Sequence, residues 1–135
     1  MFVLDASITL AWCFTDEASD DADQALGKLD HEDAVAPAIW PLEVANALRM
    51  AERRGRLDLA DLTRVRDLLT ALPVQIETVA LGAALGDISE FARRLDLSAY
   101  DAAYLELAAR RGLPLATIDD RLKRACAEAG VELVA

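Results

Sequence analysis

Four carboxylates stand where strands give way to helices or where helices begin: Asp5 in FVLDAS, Glu43 in PLEVANAL, Asp101 in LSAYDAAYLELA and Asp119 in LATIDDRL. An acid at a helix start has an ordinary use, because it bonds free backbone N–H groups and suits the helix dipole. Ser98 and Asp101 also have the spacing of a capping box. Three of the four acids nevertheless share the apolar side of their helix. Asp119 is in register with Leu122 and Cys126, whereas Asp120 is not. Glu43 lies near Ala47 and Met50, away from Arg49 and Arg53. At about 100° per residue, Glu106 and Arg110 mark a solvated face, and Asp101 falls roughly 140° from Glu106, beside Tyr104, Leu105 and Ala108.

Inward-facing acids need a counter-charge. Two carboxylates about 5 Å apart repel by roughly 3 kcal/mol at an effective dielectric near 20. A hard divalent cation, Mg²⁺ or Mn²⁺, answers a cluster of oxygen ligands with no histidine or cysteine nearby. Such a site serves phosphoryl transfer, where the metal activates water and neutralises the phosphate. Metal-assisted phosphodiester hydrolysis is the chemistry these residue types suit.

Other chemistries lack their parts. His31 is the only histidine and sits in the charged stretch LDHED, which disfavours a His-rich metal site or a Ser-His-Asp triad. Cys13 and Cys126 lie at opposite ends of the chain on apolar helical stripes, the pattern of two buried free thiols. A phospho-acceptor receiver would want paired acids after the first strand and an acceptor Asp ending the third. Here Asp5 stands alone and VQIETV ends without an Asp. A dehalogenase-type phosphatase would want Asp-x-Asp at the first strand, where this chain has Ser7.

The elements that must carry the acids follow from periodicity and punctuation. FVLD (2–5), AVAP (34–37), VQIETV (74–79), LATI (115–118) and VELV (131–134) read as strands. Helices are expected over SITLAWCF, from about Asp16 to Leu29, from Pro41 to about Arg54, over LDLADLTRVRDLLTAL, over LGAALGDISEFARRL and SAYDAAYLELAARR split near Asp96, and over about 120–129. Strands alternating with helices imply one domain over 1–135, a three-layer α/β/α sandwich with a central, mainly parallel sheet. In such a sheet, helices that follow strands start at the carboxyl edge, which gathers Asp5, Glu43 and Asp119 there. Asp101 follows another helix and is placed less directly.

The chain has 135 residues, 54% hydrophobic and 28% charged, which is enough for a real core. Its net charge of −10 is concentrated in residues 1–33, which hold nine acids and one lysine. That segment reads as a solvated helix face lying away from the site. Arg49, Arg53, Arg54, Arg56, Arg64 and Arg66 are close in sequence and are candidates for a basic rim. The apolar start carries Asp5 and no basic n-region, unlike a leader, and no stretch is long enough to span a bilayer. Tyr100 and Tyr104 have the chemistry to stack bases, but inward-facing tyrosines more often serve the core.

The four motifs, in this order and spacing and over nearly the full length, resemble the PIN domain and, within it, the VapC ribonuclease toxins of toxin–antitoxin pairs. That resemblance implies a Mg²⁺- or Mn²⁺-dependent endoribonuclease whose acidic site is Asp5, Glu43, Asp101 and Asp119. It assigns supporting hydrogen bonds to Ser7, Asn46 and Thr117. It further implies an RNA substrate, a homodimer, and a small antitoxin covering the acidic groove. The start unlike a leader and the lack of a spanning stretch separately lead to the expectation of a cytoplasmic protein. The competing expectation is a PIN-like module that binds RNA or a protein partner without cutting.

Overall fold

The computed structural model describes residues 1–134. Its centre is a four-stranded, all-parallel sheet of order β3-β2-β1-β4, formed by Phe2–Leu4 (β1), Ala34–Pro37 (β2), Val74–Glu77 (β3) and Leu115–Ala116 (β4). β1, β2 and β4 are buried throughout, as continuous apolar runs in a parallel sheet covered on both faces must be. β3 is the half-exposed edge.

Ala6–Cys13 (α1), a 3₁₀ turn at Thr15–Glu17 and Asp20–Lys28 (α2) join β1 to β2. Trp40–Arg53 (α3) and Leu59–Thr70 (α4) join β2 to β3. Leu81–Ala83 (α5), a π-helical turn at Ala84–Ile88, Ser89–Leu95 (α6) and Ala99–Arg111 (α7) lead to β4, and Asp120–Ala129 (α8) follows it. Right-handed crossovers send β1→β2→β3 one way across the sheet, so α1 to α4 share one face. The return from β3 to β4 at the far side places α7 on the other face, packed on β1, β2 and β4. The result is the expected three-layer sandwich.

One core built on Phe2, Leu4, Ile8, Tyr104, Leu105 and Leu122 joins both faces of the sheet. A smaller cluster of Cys13, Phe14, Ala51, Leu57 and Val65 locks the ends of α1 and α3 to α4. Cys13 and Cys126 are buried and unpaired, as their apolar registers predicted.

Several boundaries differ from expectation for local reasons. The acidic helix is broken because Ser19 acts as the N-cap of α2, accepting from the Ala22 N–H, and the residues before it form only the 3₁₀ turn. LGAALGDISEFARRL is not one helix: Gly86 leaves helical geometry (φ −99°, ψ −107°) and kinks it. Asp96 ends α6 in the left-handed region (φ 54°), which makes the sharp turn into α7. LATI contributes only Leu115 and Ala116, because Thr117 turns its hydroxyl to Asp5. VELV is not a strand. It makes one isolated parallel bridge, Leu133 with Leu115, since β4 is too short to pair with more.

Candidate active site

In the order β3-β2-β1-β4 the chain reverses its direction of travel between β1 and β4, and a crevice forms outside the carboxyl ends of strands at such a point. Asp5 leaves β1 and Asp119 follows β4, one on each side of it. Asp5 is almost fully buried. Its Oδ2 accepts from Ser7 Oγ at 2.6 Å and from Thr117 Oγ1 at 2.7 Å. The same hydroxyls accept backbone N–H groups, Ser7 from Ile118 at 3.1 Å and Thr117 from Asp119 at 3.1 Å. Two side chains from distant parts of the sequence thus clasp the ends of β1 and β4 around one carboxylate.

Glu43 arrives from the first turn of α3, which starts at Trp40 and Pro41. The buried Trp40 Nε1–H donates to Thr9 Oγ1 at 3.0 Å and moors the start of α3 to α1. Glu43 Oε1 accepts from the Tyr104 hydroxyl at 2.6 Å. Asp101 stands in the first turn of α7, where Ser98 Oγ accepts its N–H at 3.1 Å, the serine half of the expected capping box. Asp119 is the N-cap of α8, with Oδ1 accepting from the Leu122 N–H at 2.9 Å. The capping use of Asp119 is therefore real. Oδ2 remains free of that role. Asp120 is exposed in the first turn of α8.

The acids act on one another electrically. Burial raises the Asp5 carboxyl above the usual range, partly offset by the Ser7 and Thr117 hydrogen bonds. Burial also raises Glu43; the Tyr104 bond opposes this, and the charges of Asp5 and Asp101 reinforce it. Asp101 is raised by burial first and then by Asp5 and Asp119, against Ser98 and the Arg121 guanidinium. Glu43 thus feels Asp5 and Asp101, and Asp101 feels Asp5 and Asp119, which links the four acids into one neighbourhood.

The cluster is looser than a finished ligand shell. Among the described residues, no three His, Cys, Asp or Glu side chains are gathered closely enough to hold a metal ion. Repulsion between like charges and the partners each acid has taken explain the spread: two hydroxyls on Asp5, a phenol on Glu43, a helix end on Asp119. In kind, the set fits a hard divalent cation, being all carboxylate oxygen with mutual repulsion for a positive charge to relieve.

Not every expected residue joins the site. Ser7 and Thr117 do, through Asp5. Asn46 is exposed one turn along α3 and, among the described residues, bonds to none of the four acids. The wheel reading of α7 fails at Glu106, which is buried rather than solvated. Arg110 Nε donates to it at 2.8 Å while bonding Glu77 at the end of β3. The helix is covered around most of its girth, so one polar residue does not identify an outer face. Tyr100 is 60% exposed, not inward. Tyr104 is fully buried and was legible only as core; its place three residues after Asp101, on the same helix face, is the one sequence sign of its contact with the site.

The basic rim also dissolves. Arg56 pairs with Asp16 and Glu17 and covers the Phe14 ring, Arg49 pairs with Glu52, and Arg64 with Asp61. Arg53 and Arg54 sit at the end of α3 opposite Glu43, far along the helix from the acids.

A model of the PIN domain family matches residues 2–128. Ribonuclease VapC3 of Mycobacterium tuberculosis, in strains CDC 1551 / Oshkosh and H37Rv, is 37% identical over 93 residues, covering 67% of this chain and 63% of that protein. The chain thus matches a little under two thirds of the length of these curated relatives. Among solved structures, PAE2754 from Pyrobaculum aerophilum superposes with a TM-score of 0.68 at 22% identity, over 92% of this chain and 83% of that one. Mycobacterium tuberculosis VapC20, described as a sarcin-ricin loop cleaving toxin, gives 0.65 at 14% identity, over 93% and 95%. Both share the fold found here.

Proposed function

This chain belongs to the PIN domain family, and from that premise we propose that it is a metal-dependent endoribonuclease, acting as the toxin of a toxin–antitoxin pair. The observation that supports the reading is that acids from four separate elements stand near enough for Glu43 and Asp101 to feel the others' charge. They are Asp5 after β1, Glu43 in the first turn of α3, Asp101 in the first turn of α7 and Asp119 at the start of α8. These four residues are the ones that would hold Mg²⁺ or Mn²⁺. When bound, such an ion supplies an activated water and charge neutralisation for hydrolysis of an RNA phosphodiester.

The chain's own groups prepare that chemistry. Ser7 and Thr117 fix the Asp5 carboxylate by spending both hydroxyl protons on Oδ2. Their hydrogen bonds also favour its ionised form against the cost of burial. The α8 N-terminus behind Asp119 adds a positive dipole end at the same edge. Arg121, in the first turn of α8, adds a full positive charge that reaches Asp101.

The partners proposed are RNA as substrate, a cognate antitoxin and a second copy of the chain. A groove of about 330 Å³ lies against the starts of α3 and α7, lined by Ile39, Val79, Ile88, Tyr100 and Ala103. Its apolar lining suits a protein segment laid beside the acids. The whole chain is read as one domain working in the cytoplasm; among the described residues no helix is long and apolar enough to cross a membrane.

One observation favours a second reading, a PIN-like module that binds RNA or a protein without cutting: no three of the acids are drawn to ligating distance. RNA cleavage by the purified, partner-free chain separates the two. Cleavage is expected with Mg²⁺ or Mn²⁺, none with EDTA, and none from Asp101→Asn. Cleavage indifferent to EDTA or to the substitution would sink the mechanism. RNA binding without cleavage under any metal would establish the second reading.

A further inference from the structure

We infer that Tyr104 is a positioning residue for Glu43, holding its carboxylate in the orientation that receives a divalent cation. The inference rests on the nuclease reading of the site and deepens it. Tyr104 is fully buried in the core, yet its hydroxyl reaches out of α7 to Glu43 Oε1 at 2.6 Å. The short distance marks a charge-assisted bond to a carboxylate.

The two helices have little other contact, since α3 packs on α1 while α7 packs on the sheet, α6 and α8. The Tyr104 bond therefore links the helix that carries Glu43 to the helix that carries Asp101, one turn away on α7. Glu43 is held twice over. Trp40 and Thr9 moor the backbone of its helix, and Tyr104 fixes the side chain. With Oε1 taken by the phenol, Oε2 is the oxygen left open. Asp5 is fixed in a like manner from the other side, its Oδ2 claimed by the Ser7 and Thr117 hydroxyls. A half-buried glutamate without this partner would be free to rotate away from the cluster, and the entropy of ordering it would fall on the cation.

The test is Mn²⁺ titration of the metal-free chain, read by electron paramagnetic resonance of the free ion rather than by activity. Tyr104→Phe keeps the ring in the core and removes only the hydroxyl. Its Mn²⁺ Kd is expected to rise about tenfold, the range for loss of an outer-shell partner. Leu107→Val, a buried lesion one turn further from the site, is expected to leave the Kd within about twofold. Equal affinity for wild type and Tyr104→Phe, or an equal loss in Leu107→Val, overturns the inference.

A second measurement leaves the tyrosine hydroxyl in place. In chain labelled with fluorotyrosine, with Tyr100→Phe leaving Tyr104 as the single probe, Mg²⁺ should shift the fluorine resonance, and Glu43→Gln should abolish that shift. A shift that survives Glu43→Gln, or no shift while Mn²⁺ still binds, counts against the coupling. Wild-type chain that binds neither ion fails at the earlier step, the nuclease reading itself, and takes this inference with it.

Discussion

Thr117 donates its hydroxyl to Asp5 Oδ2 at 2.7 Å, joining residues that stand 112 positions apart in the sequence. The bond exists because β1 and β4 are parallel neighbours, so their carboxyl ends lie side by side. Thr117→Val keeps the shape and deletes the hydroxyl. A buried carboxylate then loses one of its two side-chain donors, and the Asp119 N–H loses its acceptor. Stability at neutral pH should fall by about 1–3 kcal/mol, the cost of unpaired buried polar groups. Urea unfolding checks this. The deficit should narrow as pH falls through the raised range of the Asp5 carboxyl, which then takes up a proton and needs the donor less.

Arg110 should matter more than the other surface arginines. It neutralises Glu106, buried on the same helix, and reaches Glu77 on the edge strand. Arg110→Ala leaves the buried Glu106 without its cation and should cost about 1–3 kcal/mol in urea unfolding. The guanidinium is itself 49% exposed, which argues for the lower part of that range. Arg49→Ala removes an exposed pair with Glu52 and should stay within about 0.5 kcal/mol. Equal losses from the two would mean that Glu106 is not dependent on Arg110.

The sequence makes the site legible because the acids are tied to punctuation. Asp5 ends an apolar run, Pro41 starts the helix of Glu43, Ser98 starts that of Asp101, and Asp119 ends LATI. Each follows from local rules that hold wherever the chain folds. The misreadings share a cause of the opposite kind. The buried Glu106 depends on Arg110 reaching over to Glu77, and Tyr104 gains its role from Glu43, 61 positions away. A helical wheel assumes one wet face, and α7 is covered around most of its girth, so periodicity carried no information there. The strand lost from VELV failed likewise, because its pairing was limited by the length of β4 rather than by its own alternation.

The thiols give a prediction independent of the site. Burial pushes Cys13 up to about 11 and Cys126 up to about 11. At pH 8 the native chain should react with an aromatic disulfide reagent roughly 100-fold more slowly than the urea-unfolded chain, in keeping with the scarcity of thiolate. A fast native phase would place one cysteine at the surface and contradict the packing of α1 or α8.

Repulsion within the acidic cluster should be visible as stability. Burial, Asp5 and Asp119 raise the Asp101 carboxyl above its ordinary 3.8, so the folded chain binds that proton more tightly than the unfolded chain does. Asp101 therefore contributes least stability at high pH: its contribution is intact below 3.8 and is lost as pH rises through the raised value. Asp101→Asn removes the charge at every pH. In metal-free buffer at pH 7 the variant should be more stable than wild type. The advantage should shrink as pH falls through the raised value and vanish below 3.8, where the carboxyl is protonated in both the folded and the unfolded chain. Excess Mn²⁺ should reverse the order. At a concentration of about 100 times Kd, wild type gains about 2.7 kcal/mol by mass action, and the variant, lacking a ligand, gains less. Thermal unfolding with EDTA and with Mn²⁺ at the two pH values reads all four corners. A variant less stable than wild type in every corner would mean that Asp101 serves its helix and not a cation.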